Sequence, residues 1–180
     1  MNSTLIGYFP KRRAPNPEWI VALGVEEICS VSSCLAKAPT DWIKAWQHNE
    51  PWVFSEPPLA WSVVPSNERN AFELYAFRIL PIQFNEGSSK EFLIPKFSVA
   101  PADSSFASLG YDVVCRSEGT NFGCSPLSCN GLAQETSVNR YCLLNDVESA
   151  LAFAATLRSG NSEPGPYFIV EVLRQDTTAI

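Results

Sequence analysis

Four of the chain's six cysteines, Cys115, Cys124, Cys129 and Cys142, crowd into one stretch whose middle reads RSEGTNFGCSPLSCNGLAQETS. Thiolates serve both as metal ligands and as nucleophiles, so the spacing has to be weighed for each chemistry. A tetrahedral zinc ion would use all four cysteines, but the pattern C-x8-C-x4-C-x12-C lacks the paired C-x2-C knuckles of such sites. Cys115 and Cys142 also sit in apolar runs, where a thiol packs as a small hydrophobe. No metal and no other cofactor is therefore expected. A thiol nucleophile is the second reading of the stretch. Cys129, with Cys124 as the alternative, adjoins Asn130-Gly131, a turn-forming pair whose N–H groups could face an oxyanion. Such a thiol needs a base or a cation to lower its pKa. The chain offers its single histidine, His48, as base, and Arg116 and Arg140 as cations. Ser125, Ser128, Asn130 and Arg116 would then be the ligand-binding groups of a site in residues 116–137. A redox pair is the third thiol reading, from the C-x4-C spacing shared by Cys29/Cys34 and Cys124/Cys129, although thioredoxin-type chemistry uses C-x-x-C before a helix.

Other chemistry has less support. No G-x-S-x-G elbow, phosphate-binding glycine loop, dinucleotide fingerprint, H-E-x-x-H or calcium loop occurs in the chain. Asp112, Glu118, Glu135 and Asp146 surround the cysteine stretch, but paired carboxylates need separations that a sequence does not give. A net charge of −6 has the wrong sign for a phosphate-backbone binder, so nucleic acid is not an expected partner. No window approaches the length of a membrane span. The N-terminal MNSTLIGYFPKRR places its charges after a short apolar run, unlike a secretory signal, and a cytoplasmic location with reduced thiols is expected.

The elements that must position these residues read as a single α+β domain over residues 1–180. The expected architecture is a mixed sheet of about five or six strands, two or three helices and a C-terminal β-α-β unit. In that unit residues 138–144 (VNRYCLL) form a strand, Asn145 with Glu148 makes a capping box, and a helix presents Val147, Leu151, Ala154 and Leu157 to the sheet. Residues 167–173 (YFIVEVL) follow as a strand, and a crossover of this length favours parallel pairing. Upstream, residues 72–82 read as a long strand interrupted at Pro81, and residues 111–115 as a shorter one. Residues 5–9 and 27–31 are weaker strands. Short helices are expected after Asn16-Pro17, stopping at Gly24, and after Thr40, where Trp42 and Trp46 share a face. No internal repeat is apparent along the chain.

With only 18% charged residues the surface must carry much uncharged polar or apolar material. All five tryptophans lie in the first third of the chain, and Trp52 and Trp61 fall in the irregular, proline-rich NEPWVFSEPPLAWSVVP. Such a stretch suits an exposed contact surface. The leading expectation is a small acidic cytosolic protein that binds a partner protein through Trp52 and Trp61, as an inhibitor, immunity-type or accessory factor does. The alternative is an enzyme or small-ligand binder with a thiol-containing site in residues 116–137. A pocket converging on Cys129, Asn130 and Arg140 would favour the second, a flat tryptophan-bearing patch the first.

Overall fold

Two runs of β-branched and aromatic residues, buried along most of their length, become the inner strands of the sheet, and two further runs with exposed residues near their starts become its edges. The structure, a computed structural model, describes residues 3–12, 16–32, 53–84, 98–115, 124–157 and 166–176. In chain order the elements are β1 (Thr4–Arg12), α1 (Glu18–Val21), α2 (Pro57–Ser62), a 3-10 helix (Ser66–Ala71), β2 (Phe72–Phe84), β3 (Phe106–Cys115), a second 3-10 helix (Leu132–Gln134), α3 (Val147–Thr156) and β4 (Tyr167–Gln175). The strands form one sheet in the order β1-β2-β4-β3, with every neighbouring pair antiparallel. β4 is inner and covered on both faces, which is why YFIVEVL is apolar at nearly every position.

This corrects the expected sheet. Among the described residues there are four strands, not five or six, and no parallel pair. The β-α-β unit fails at its first strand, because residues 138–144 form a knot around Asn139. The Asn139 side-chain oxygen accepts from the N–H groups of Tyr141 (2.9 Å) and Leu143 (3.2 Å), and its Nδ2 donates to the Leu109 carbonyl (2.8 Å). Cys142 sits in the knot at φ 58°, a left-handed conformation uncommon outside glycine. Only Leu144 pairs with the sheet, through a bridge to Tyr111. Asparagine competes for backbone N–H groups, and here it outweighs the strand propensity of its neighbours. Residues 27–31, also read as a strand, lie outside the sheet's ladders.

The helix after the knot forms as expected but with a shifted cap and face. Asp146, not Asn145, is the N-cap, and its carboxylate accepts from the Ser149 N–H at 2.7 Å. Ala150, Phe153, Ala154 and Leu157 are buried, whereas Val147 and Leu151 are half-buried at the margin. α1 begins one residue later than Asn16-Pro17 suggested, with Pro17 as its N-cap. The helix expected after Thr40 lies outside the described residues.

The fold contains a repeat that composition did not reveal. In β1 the ladder slips between Leu5 and Gly7, and in β3 between Ser108 and Gly110, so each outer strand carries a bulge ending in glycine. The next residue, Tyr8 or Tyr111, bridges to an incoming segment at Phe54 or Leu144. Two residues later a helix is capped, by Glu56 or Asp146, and after the helix an inner strand begins at Phe72 or Tyr167. α2 packs on β1 and β2, and α3 on β3 and β4. Gly7 opposes Phe77, Gly110 opposes Val172, and Phe77 opposes Val172 across the β2–β4 ladder. A pseudo-twofold axis therefore passes between Phe77 and Val172.

The bulge glycines are required where the incoming segments cross. Gly7 has φ 146° and Gly110 φ 135°. A Cβ on Gly7 would meet the Phe54 carbonyl oxygen at 2.7 Å, and one on Gly110 the Leu144 carbonyl oxygen at 2.6 Å. Both obstacles are backbone atoms fixed by the bridges, so neither can move aside.

Candidate functional site

Strand parity places Lys11, Glu73, Tyr75, Phe77, Arg174, Val172, Val170 and Asp112 on one sheet face, through the pairs Lys11–Glu73, Tyr75–Arg174, Phe77–Val172 and Asp112–Val170. α3 packs with Val113 and Ile169, which point to the opposite face. The polar face is covered by residues 25–32, an extended strap. Its backbone is tied at one end to the Asn139 knot: the N–H groups of Glu26 and Glu27 donate to the Arg140 carbonyl (2.8 and 3.1 Å), and that of Cys29 donates to the Tyr141 carbonyl (3.1 Å).

Two polar clusters fasten the strap to the sheet. The first surrounds Asp112, which is wholly buried. Ser30 Oγ and the Val31 N–H donate to its Oδ2 at 2.6 and 3.1 Å, and Ser125 Oγ donates to its Oδ1 at 2.6 Å. Burial pushes this carboxyl up from its usual range, against the pull of Ser125, Ser30, Val31 and Lys11. Lys11 is buried too, and its ammonium donates to the carbonyls of Ser30 and Ser32, above the rings of Tyr75 and Phe77. Ser30 thus joins the Lys11 ammonium on β1 to the Asp112 carboxyl on β3, its carbonyl facing one and its hydroxyl the other. The second cluster comprises Glu27, Glu73, Tyr75 and Arg174. Arg174 Nη1 donates to Glu27 Oε2 at 2.7 Å and to Glu73 Oε2 at 3.0 Å, and its guanidinium lies 5.1 Å from the centre of the Tyr141 ring.

Of the described thiols, Cys29, Cys115 and Cys142 are buried, and Cys124 and Cys129 are half-buried. The five described cysteines are thiols, not disulfides. Burial pushes Cys29 up to about 12, with Glu27 adding to the effect, and pushes Cys142 up to about 12, with Asp112 adding to it. A thiol at such a value has almost no thiolate at neutral pH. Cys129 is half-buried, 3.5 Å from Ser32 Oγ and 3.9 Å from Ser128 Oγ, and Cys124 lends its carbonyl to the Cys115 N–H. Among the described residues no three His, Cys, Asp or Glu side chains are arranged to hold a metal ion.

Among the described residues, those singled out from the sequence make the following contacts. Gly131 takes the left-handed φ of 75° that the Asn130-Gly131 turn calls for, and Asn130 is exposed. Arg140 points elsewhere, donating to the Tyr141 hydroxyl at 2.5 Å and pairing with Glu26 at 3.5 Å. Ser125 and Ser128, read as ligand-binding groups, are buried instead, and Ser125 is spent on Asp112. Trp61 is half-buried with the Arg69 guanidinium 6.0 Å from its ring centre. Trp52, His48, Arg116 and Cys34 lie outside the described residues. The sequence reading missed Lys11, Ser30, Glu73 and Arg174. The signal available was strand parity, which sets Lys11 beside Phe9 and Glu73 beside Tyr75 on an inward face.

One open groove of about 540 Å³ runs between α3 and the segment after the second 3-10 helix. Its lining includes the apolar Leu132, Leu144 and Phe153 and the hydroxyl-bearing Thr136, Ser149 and Thr156, with Glu135. No protein-family model, no curated protein and no solved structure matches this chain.

Proposed function

We propose that this is a small acidic cytosolic protein that acts by binding a partner protein, in the manner of an inhibitor, immunity-type or accessory factor. One observation carries the reading: the groups able to do chemistry on the covered sheet face are turned inward and bonded to one another. Asp112 has three donors, Lys11 two carbonyls, and the Cys29 and Cys142 thiols stand at about 12. Their arrangement supports a scaffold. Outward, Val21 (55% exposed), Leu23 (38%) and Leu59 (42%) are the large apolar side chains left in water among the described residues. The net charge of −6 favours a basic partner surface, whose encounter it would steer.

The test is stoichiometric co-purification from the native host, followed by affinity measurement with the identified partner. A Val21→Glu/Leu23→Glu variant and a Leu59→Glu variant should keep the melting temperature, and at least one should weaken association by about tenfold or more, roughly 1.4 kcal/mol. A protein that purifies with nothing bound and whose cellular effect survives all three substitutions would overturn the proposal. Small-ligand binding keeps one observation in its favour, because the groove beside α3 is of ligand size and is lined by both apolar and hydroxyl-bearing residues. A compound that raises the melting temperature of the wild-type protein but not of a Thr136→Trp variant, which fills the groove, would select that reading.

A further inference from the structure

β3 ends at Cys115, and the chain lies beside that residue again at Cys124: on this edge strand of the sheet the Cys115 N–H donates to the Cys124 carbonyl at 3.1 Å. A backbone bond of this kind sets two Cα atoms about 5.5 Å apart in a strand pair, within the roughly 4.4–6.8 Å that a disulfide spans. Direction agrees with distance. Parity along β3 puts Cys115 with Val113 on the face that α3 covers, opposite to Asp112, and Cys124 packs against the same apolar cluster, which contains Val113, Leu127 and Tyr167. The two thiols differ in access, because Cys115 is 4% exposed whereas Cys124 is half-buried and can be reached from solvent.

We propose that Cys124 and Cys115 are a thiol modification site that takes a low-molecular-weight disulfide as its oxidant and closes into a clasp at the end of β3. Cys124, as its thiolate, attacks one sulfur of the reagent. A bond forms between the two sulfurs, the reagent's own S–S bond breaks, and its other half leaves as a thiolate. Cys115 then gives its proton to water and attacks the Cys124 sulfur, and the first half of the reagent leaves as a second thiolate. The protein has lost two protons and two electrons, and the reagent has been reduced to two thiols. The pair is C-x8-C, not the C-x4-C of Cys124 and Cys129 that the spacing alone brings out. Ser125, the next residue, donates to the buried Asp112 carboxyl, which also holds the strap through Ser30 and Val31. The clasp therefore fixes the chain beside the strap's buried anchor, and closing a ring over residues 115–124 withdraws freedom from the unfolded chain.

The test treats the folded full chain with glutathione disulfide, quenches in acid and maps the linked peptides by mass spectrometry. The expected main product joins Cys115 to Cys124, is reversed by dithiothreitol, and melts at a higher temperature than the reduced protein. Two variants read the order of attack. Cys115→Ala should stop with one glutathione held on Cys124, and Cys124→Ser should lose the linked peptide and leave Cys115 unmodified. The wild-type peptide map decides the pairing even where a variant fails to fold. A folded wild-type protein that stays unoxidised, or that pairs Cys124 with Cys129 or Cys142 instead, would overturn the proposal. So would glutathione trapped on Cys115 in Cys124→Ser, which would reverse the roles, or an oxidised protein that melts below the reduced one, which would show that the bond strains the fold.

Discussion

The two halves of the molecule, β1 to β2 and β3 to β4, solve the same geometric problem with the same parts and then diverge in what they do with the result. Each runs an outer strand through a glycine bulge, receives its own chain back as a bridge beside a tyrosine, and caps a helix two residues later. The first half follows with a six-residue helix opened by Pro57 and Pro58, without a side-chain cap. The second follows with a ten-residue helix capped by Asp146. The first half also supplies the strap, whose anchors are mostly in the second: the Arg140 and Tyr141 carbonyls, Asp112 and Arg174. The duplicated skeleton thus gives the frame, and the unlike insertion ties the two copies together.

The largest loss is expected where the halves are tied through the buried Asp112 carboxyl. Asp112→Ala removes the acceptor of the Ser30 and Ser125 hydroxyls and of the Val31 N–H in a wholly buried position, and should cost about 2–4 kcal/mol in urea unfolding. A loss below about 1 kcal/mol would mean that the strap is not held at Asp112 and that the halves meet only through β2 and β4.

Next come the equivalent glycines. Gly7→Ala and Gly110→Ala each force a Cβ onto a carbonyl oxygen at a left-handed backbone angle, and each should cost about 2–4 kcal/mol. The comparison breaks if one is tolerated and the other is not, since the bulges would then be alike in shape but not in constraint.

Ala60 and Ala150 occupy matching helix positions, four residues after the N-cap, and both are completely buried. Ala60→Leu and Ala150→Leu should each overpack the helix–sheet contact by about 1–3 kcal/mol. A neutral or stabilising Ala60→Leu would show that α2 sits more loosely on its strands than α3 does.

The smallest difference concerns the caps. Asp146→Ala should lower the unfolding midpoint and Glu56→Ala should leave it unchanged, because only Asp146 accepts a bond from its helix. The Ser149 N–H holds the Asp146 carboxyl below its usual range. The cap's contribution is present above the ordinary aspartate range and fades as pH drops through the lowered value, so the two variants should converge in acid.

Much of the frame could be read from local signals. β2, β4 and most of β1 are apolar or aromatic runs bounded by turn residues, and the α3 period survives its shift of face. The repeat left one trace in the sequence, Ile6-Gly7-Tyr8 against Leu109-Gly110-Tyr111, too short to distinguish from chance without the matching bulges. The candidate site was far less legible. The cysteine stretch drew attention because thiols are chemically conspicuous, yet Cys115 and Cys142 are buried, the Cys142 thiol is pushed up to about 12, and Ser125 and Ser128 are buried too.

By itself the sequence determined where chain segments could form inner strands and where a helix could start, because burial on both faces and capping are decided within a few residues. Tertiary structure alone decided the rest. Whether residues 138–144 became a strand depended on Asn139 finding both its neighbours' N–H groups and the Leu109 carbonyl on another element. Whether Lys11, Asp112, Glu27, Glu73 and Arg174 were surface charges or an interior network depended on a strap crossing the sheet to cover them. Covering removes the water that would otherwise solvate each charge, and only partners brought from distant parts of the chain can replace it.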